Sequence, residues 1–337
     1  MDLRDFRSLD HTLIVAEVGV NHEGNLDVAL DLIRQAAQCG VDAVKFTTFR
    51  IDHYISVEQP ERKARIARFE LTQADFRRMA DVARECGIIW FSTGLDPQSV
   101  DFLATVQPLT KIASGDLNNT TFIKHVVSKG LPTIISTGYG DEGDVGRAVE
   151  AALSARPSAR HDGSIMLMHC VGAYPTAKEH INIRNMEWLK EAFGLPVGFS
   201  DHTIGVKACE LATAAGAVAV EKHFTYRSTD QAWHDHALSA EPDDMRRIVT
   251  AVREAEIYMG RRKRVLDVNV ETRLMDMRRS VGAVVDIPAG TPIQRGWLTW
   301  LRPARGAHPD SIDAMVGQKL KRKISAGELI RQEDVTG

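Results

Sequence analysis

Two histidines, two lysines and a set of carboxylates and hydroxyls carry the chemistry open to this sequence. His202, in the run PVGFSDHTIG, and His223, in AVAVEKHFT, each follow a short apolar strand, and one helix-like run separates them. If those strands are parallel neighbours, both imidazoles reach one rim of a sheet. Two histidines there can grip a divalent metal and leave positions open for substrate and water. A single histidine at a strand end is more often structural, but other strands of this chain end in the same polar way. Lys45 (DAVKFT) and Lys111 (LTKIAS) lie among apolar residues. A lysine so placed loses hydration and needs an anion beside it. With the hydroxyls of Thr93, Ser114, Ser136 and Ser200 at other strand ends, the two lysines read as a pocket for a small polyanion carrying carboxylate or phosphate. Carboxylates at Glu17, Asp116, Glu221 and Asp235 complete the set. It suits carbon–carbon bond formation between an anionic enol and an aldehyde, a metal polarising the carbonyl. It suits metal-assisted phosphate hydrolysis equally well, and spacing does not choose.

The elements that must position these residues alternate regularly. Strand-like runs fall at residues 12–18, 41–46, 88–92, 109–113, 132–136, 165–170, 197–199 and 217–220, with helical patterns between them. After Asn25, apolar residues at Leu26, Ala29, Leu30, Ile33, Ala36 and Ala37 follow helical spacing, and Gly40 stops that helix. Thr72 and Asp75 form a capping box opening another. Eight strand–helix units over residues 1–260 predict an α/β fold, a closed (β/α)8 barrel with its active site at the C-terminal ends of the strands. An open doubly wound sheet is the runner-up, but no G-x-G-x-x-G follows the first strand. The polar connection at residues 47–68 reads as a long loop suited to substrate contacts.

After Gly260 the pattern changes. Residues 261–278 read as a charged linker and residues 279–337 as a small β-rich module with an internal echo. Ile287-Pro288-Ala289-Gly290 with Ile293 and Leu298 repeats as Ile324-Ser325-Ala326-Gly327 with Ile330 and Val335.

The 337 residues, 44% hydrophobic and 26% charged, have the balance of a globular protein of two domains. A net charge of −3 gives no footing for nucleic-acid binding, and the basic runs at 261–264 and 319–323 read as solvated faces. There is no membrane-spanning run and no signal core at the N-terminus. Cys39, Cys86, Cys170 and Cys209 are spaced as reduced thiols of a cytoplasmic protein. His22 and His169 read as structural.

The stretches AEVGVNHEG, DAVKFTTF, FSTGLD, KIASGD, ISTGY, HCVGAYPT, GFSDHTIG, EKHFT and DHALSAEP, in this order, resemble the sialic acid synthases. The C-terminal RRSVGAVVDIPAG, LRPARG and VGQKLKRKISAGELI resemble the antifreeze-like (SAF) domain that those enzymes carry. The resemblance covers nearly the whole chain. It implies condensation of phosphoenolpyruvate with an aldose, N-acetylmannosamine or a related amino-hexose, to a sialic-type keto acid with release of phosphate. It places phosphoenolpyruvate contacts on Lys45, Thr93, Lys111, Ser114, Ser136 and Ser200, and manganese or magnesium on His202 and His223. Tyr174 and Asp235 match acceptor contacts, and Glu17 the acid near the reacting centre. Asp116 stands where a proton could pass to the sugar oxygen. Arg302 matches an arginine that reaches the partner's barrel across a domain-swapped homodimer.

Departures from the family pattern cluster on the acceptor side: Thr47 for Gln, Asp116 for Glu, Gly172 for Asn, and added bulk at Trp233 and His234. They point to a differently substituted acceptor, such as the diamino-hexoses leading to legionaminic or pseudaminic acid. A barrel phosphatase, or a sugar- or anion-binding protein with a decayed site, are the competing readings. Phosphate release with and without aldose separates the three.

Overall fold

The computed structural model describes residues 2–229, 233–260 and 266–336. The chain divides at Gly260 into two compact units. In the first, eight parallel strands close into a barrel: β1 (Leu13–Gly19), β2 (Ala43–Thr48), β3 (Ile89–Gly94), β4 (Thr110–Ile112), β5 (Thr133–Ser136), β6 (Ile165–His169), β7 (Val197–Asp201) and β8 (Ala219–His223), with β8 paired back onto β1. The expected (β/α)8 barrel is therefore the fold.

Strand alternation sorts the side chains into an inner and an outer set. Leu13, Val15, Ala43, Phe91, Leu109, Ile134, Met166, Met168 and Ala219 form an apolar cluster, closed by Leu3 and Phe6 of the N-terminal segment. Two residues further along the same strands stand Glu17, Lys45, Thr93, Lys111, Ser136 and Glu221, all buried. The barrel interior thus has an apolar floor beneath a polar layer. The outer set, including Ile14, Ala16, Val44, Phe46, Ile112, Ile135, Val197 and Val220, packs against the helices.

Two features differ from the sequence reading. Strands β7 and β8 run on to Asp201 and His223 instead of stopping at Phe199 and Val220, with Ser200 opposite Glu221 and Asp201 opposite Lys222. Polar residues do not end these strands because they satisfy one another. Residues 47–68 are not plain loop: they carry the short helices Ile51–Tyr54 and Pro60–Ala67. The Asn25 cap and the Thr72–Asp75 capping box are both present. All four cysteines are free. No helix among the described residues is long and apolar enough to cross a membrane.

Behind the two histidines lies a buried ion pair. Asp201 and Lys222 face outward beneath the helix Lys207–Ala214 and meet at 2.9 Å, with side chains 0% and 2% exposed. Asp201 also accepts the Thr203 N–H (2.8 Å), and Lys222 donates to the Thr203 carbonyl. The pair therefore ties down the backbone of Thr203, just after His202.

In the second unit, β9 (Ser280–Ala283) pairs antiparallel with β10 (Leu298–Leu301). The two repeats face each other: Ile287 and Ile324 exchange backbone hydrogen bonds of 2.8 and 3.0 Å. Gly290 (φ 75°) and Gly327 (φ 84°) take equivalent left-handed turns that favour glycine. Val281, Ile287, Ile293, Leu298, Leu320, Ile324, Ile330 and Val335 form its core. The stretch read as linker contains the helix Val268–Met277, none of whose residues is buried. The basic run at 261–264 lies outside the described residues.

Removing one partner of a buried ion pair strands the other, so Lys222→Met is expected to cost about 3–5 kcal/mol, whereas Asp201→Leu/Lys222→Met recovers most of that loss. Urea unfolding of the three proteins checks this.

Candidate active site

Thirteen of the fourteen candidate residues line one cavity of ≈ 760 Å³ at the C-terminal mouth of the barrel: Glu17, Lys45, Thr93, Lys111, Ser114, Asp116, Ser136, Tyr174, Ser200, His202, Glu221, His223 and Asp235. The fourteenth, Arg302, is exposed just beyond β10 in the second unit. Strand ends position most of these groups, and the loops after β4, β6 and β8 supply Ser114, Asp116, Tyr174 and Asp235.

At the bottom of the cavity four buried charges alternate. Lys45 Nζ lies 2.6 Å from Glu17 and 3.7 Å from Glu221, and Lys111 Nζ lies 2.6 Å from Glu221. Ser200 donates to Glu221 at 2.9 Å, and Lys45 reaches the Thr93 hydroxyl at 3.4 Å. The Ser136 hydroxyl is buried without a hydrogen-bond partner. Burial pushes the Glu221 carboxyl up, but Lys111 and Lys45 outweigh it and hold Glu221 low. Glu17 moves the other way: burial and the Glu221 charge raise it despite Lys45. Burial draws Lys111 down in spite of Glu221, whereas for Lys45 the two carboxylates overcome burial and raise it. The cluster thus holds one firmly ionised carboxylate and one that takes a proton more readily.

Above this floor, the His202 and His223 rings stand 5.6 Å apart between centroids. His202 Nδ1 is 2.6 Å from the Val171 carbonyl, so it donates there and leaves Nε2 as an acceptor. His223 Nδ1 is buried with no partner. Burial lowers both pKa values, and for His223 the neighbouring His202 adds to it. Neutral imidazoles with one nitrogen tied and another unsatisfied are the donor type that a divalent ion takes. Among the described residues no group of three or more His, Cys, Asp or Glu side chains gathers into a fuller ligand set. Water and substrate would supply the remaining positions. Tyr174 lies over His202 (4.1 Å between centroids) and edge-on to His223 (5.9 Å), and burial raises its pKa.

The wider mouth is of a different character. Phe49, Ile55, Ile66 and Phe69 form an apolar cluster with Trp233 packed on it, and all five line the cavity. Arg62 and Arg65 line it from the helix Pro60–Ala67, with Arg65 5.8 Å from the centre of the Trp233 ring. Asp116, half-buried in the wall, has its pKa raised from 3.8 to about 6 by burial.

Glu221 was one carboxylate among four in the sequence, whereas here it is the group on which both lysines converge. Its signal was an acidic residue at an inward position of the apolar run AVAVEKH. Of the wall residues only Trp233 stands out singly in the sequence; Phe49, Ile55, Ile66 and Phe69 come from the connection read as suited to substrate contacts and from its end, and carry no individual signal. His22 accepts the Gly24 N–H through Nδ1, and His169 contacts the Ile181 carbonyl at 2.8 Å, so both are structural. The side chain of His234 lies outside the described residues.

The NeuB family model matches residues 32–264 and the SAF domain model matches residues 278–336. The chain belongs to the NeuB family. Synthases of this family condense phosphoenolpyruvate with a sugar, and this NeuB member is a phosphoenolpyruvate-dependent transferase. An N,N'-diacetyllegionaminic acid synthase of Legionella pneumophila is 35% identical, covering 96% of this chain and 94% of its own. A human N-acetylneuraminate-9-phosphate synthase is 29% identical, covering 96% and 92%. The crystal structure of an N-acetylneuraminic acid synthetase from Leptospira borgpetersenii superposes with a TM-score of 0.73 at 28% identity, covering 78% of this chain and 92% of the other.

Because burial favours protonated Asp116 in the folded state, its contribution to stability is full below its unfolded pKa near 3.8 and is lost as pH rises through about 6. Across that window the wild type is expected to lose stability relative to Asp116→Asn, as denaturant midpoints measured at both ends will show.

Proposed function

We propose that this NeuB-family protein condenses phosphoenolpyruvate with an N-acylated amino-aldose carrying apolar substituents, a diacetamido hexose of the kind that leads to legionaminic or pseudaminic acid. The donor half rests on the two lysines, buried where nothing but an anion can repay their lost hydration. The acceptor half rests on the apolar wall of Phe49, Ile55, Ile66, Phe69 and Trp233. Such a wall suits acetyl and methyl groups better than a chain of hydroxyls, whose hydrogen bonds it would leave unmet. The identity to the Legionella pneumophila synthase points the same way.

In this reading Lys45 and Lys111 bind the carboxylate and phosphate of the donor, with Thr93, Ser114, Ser136 and Ser200 as hydroxyl donors around them. This is preorganised electrostatic stabilisation, held mostly by residues on the barrel strands. His202 and His223 hold a divalent cation, manganese or magnesium, which when bound supplies charge to polarise the acceptor carbonyl. The methylene carbon of the enol attacks the aldehyde carbon, and the sugar oxygen takes a proton from Asp116. Positive charge develops at the phosphate-bearing carbon. Water adds there, losing one proton to Glu17; the hydroxyl so formed then passes its remaining proton to the departing phosphate as the C–O bond to phosphate breaks and the keto group forms. Tyr174 and Asp235 orient the acceptor.

The protein works as a homodimer in which residues 279–337 of one subunit serve the barrel of the other and Arg302 completes the acceptor site. Its four free thiols and its donor metabolite suit the cytoplasm.

Phosphate release is expected only when phosphoenolpyruvate, aldose and manganese are all present, with a diacetamido trideoxyhexose preferred to N-acetylmannosamine. Release without aldose would establish the hydrolase reading instead. Chelation abolishes turnover and excess manganese restores it. His202→Ala and His223→Ala each weaken manganese binding, read by paramagnetic resonance of the free ion. Lys111→Met is expected to raise KM for phosphoenolpyruvate by roughly a hundredfold. For the dimer, Arg302→Ala and Lys111→Met proteins are mixed at a phosphoenolpyruvate concentration well below the raised KM, where each alone turns over little, and regain part of wild-type turnover after subunit exchange. No recovery would show that Arg302 does not act across subunits.

A further inference from the structure

Three glycines packed around the cavity-lining residues Tyr139 and Cys170 are glycine for a reason the backbone does not supply. Gly138, Gly140 and Gly172 all have φ outside the left-handed region. At each, the missing side chain makes room for a neighbour. A Cβ on Gly138 would lie 2.7 Å from Cys170 Sγ, and one on Gly140 would lie 2.9 Å from Asp144 Cβ and against Leu117. Both distances are well inside the contact range of ~3.5–4.0 Å. The segment after β5 is therefore set down hard between the loops that follow β4 and β6, with Tyr139 between its two glycines. At Gly172 the neighbour is the Tyr139 ring itself: a Cβ there would come within 2.6 Å of Cζ and 2.8 Å of Cδ1. Two close backbone approaches thus fix the base of Tyr139, and Gly172 is the seat for its ring.

That ring lines the cavity while 61% exposed, whereas the lysines at the floor are buried. It belongs to the same rim as Tyr174, which stacks on His202. An anion held by Lys45 and Lys111 sits below this level. A molecule reaching over the imidazoles must pass the rim, and there it meets an uncharged aromatic face.

We propose that Tyr139, seated on Gly172, is a specificity-determining residue for the acceptor: its ring is the platform on which the C–H face of the sugar packs. The proposal rests on the aldose-acceptor reading above. Any side chain at position 172 pushes the ring off its seat, and the sugar loses its platform. The contact is uniform binding, made equally in ground and transition states, so its loss raises KM for the acceptor and spares kcat.

The test measures aldose-dependent phosphate release with N-acetylmannosamine and with a diacetamido trideoxyhexose, for wild type, Tyr139→Ala, Tyr139→Phe, Gly172→Ala and the double variant Tyr139→Ala/Gly172→Ala. Tyr139→Ala is expected to raise acceptor KM roughly tenfold while KM for phosphoenolpyruvate holds, and Tyr139→Phe to recover most of that loss. Gly172→Ala raises acceptor KM in the wild-type background and adds nothing once the ring is gone, because its effect runs through Tyr139. Equal cost of Gly172→Ala in both backgrounds, or an unchanged acceptor KM in Tyr139→Ala, overturns the proposal. So does a parallel rise in KM for phosphoenolpyruvate, which would mark a collapsed loop. If the wild type releases phosphate with neither aldose, the acceptor reading fails and this proposal falls with it. Wild-type turnover with variants that do not separate sinks Tyr139 alone.

Discussion

Four charges inside a sheet, Glu17, Lys45, Glu221 and Lys111, depend on one another for the solvation that burial removes. None could be ionised there alone, since a lone buried charge sheds its proton or takes one up. Glu221 anchors the set because it touches both lysines, at 2.6 and 3.7 Å, while Glu17 touches Lys45 alone. This inequality gives the two carboxylates different proton affinities inside one cavity. Such an arrangement is weak evidence for stability, because well-packed apolar residues would serve that end as well. What it supplies is positive charge already in place beneath the barrel mouth, ready for an anion that displaces the carboxylates as partners.

The barrel makes the arrangement possible through alternation. The residues before each polar position on the inner face are apolar and fill the floor, so the charges rest on a packed layer and not on a channel. On the outer face of β7 and β8 the same alternation puts Asp201 and Lys222 behind the two histidines. Their contact joins the strand ends from outside, while Ser200 and Glu221 join them from inside. The spacing of His202 and His223 is thus fixed by bonds on both faces of the sheet.

How much of this was legible follows from how local each signal is. The eight strands were readable because apolar runs between turn residues are a local pattern, and their polar ends marked the residues that now line one cavity. Strand length is not legible at β7 and β8, where polar residues resemble an ending. In fact Ser200 pairs with Glu221, a partnership between strands that no window on the sequence contains. The helices Ile51–Tyr54 and Pro60–Ala67 were missed for the opposite reason: they are short and bury almost nothing, so they have little periodicity to show. Gly172 stood out as a departure from a resembled pattern, but its cause, the ring of Tyr139, lies on a different loop.

The division between legible and illegible parts has a chemical basis. Recognition of a small polyanion needs charges fixed to within a fraction of an ångström, and only the strands can hold them so. Those charges interrupt apolar runs, which makes them conspicuous in the sequence. Recognition of a sugar by shape and apolar contact tolerates side chains from loops, and Phe49, Ile66, Phe69 and Tyr139 look ordinary where they stand. Of the acceptor-side departures only Thr47 lies on a strand, β2, while Asp116, Gly172 and Trp233 lie outside the strands. A change of acceptor on this scaffold therefore requires mainly that the loops repack, and the chemistry on the floor below is indifferent to which aldehyde they admit.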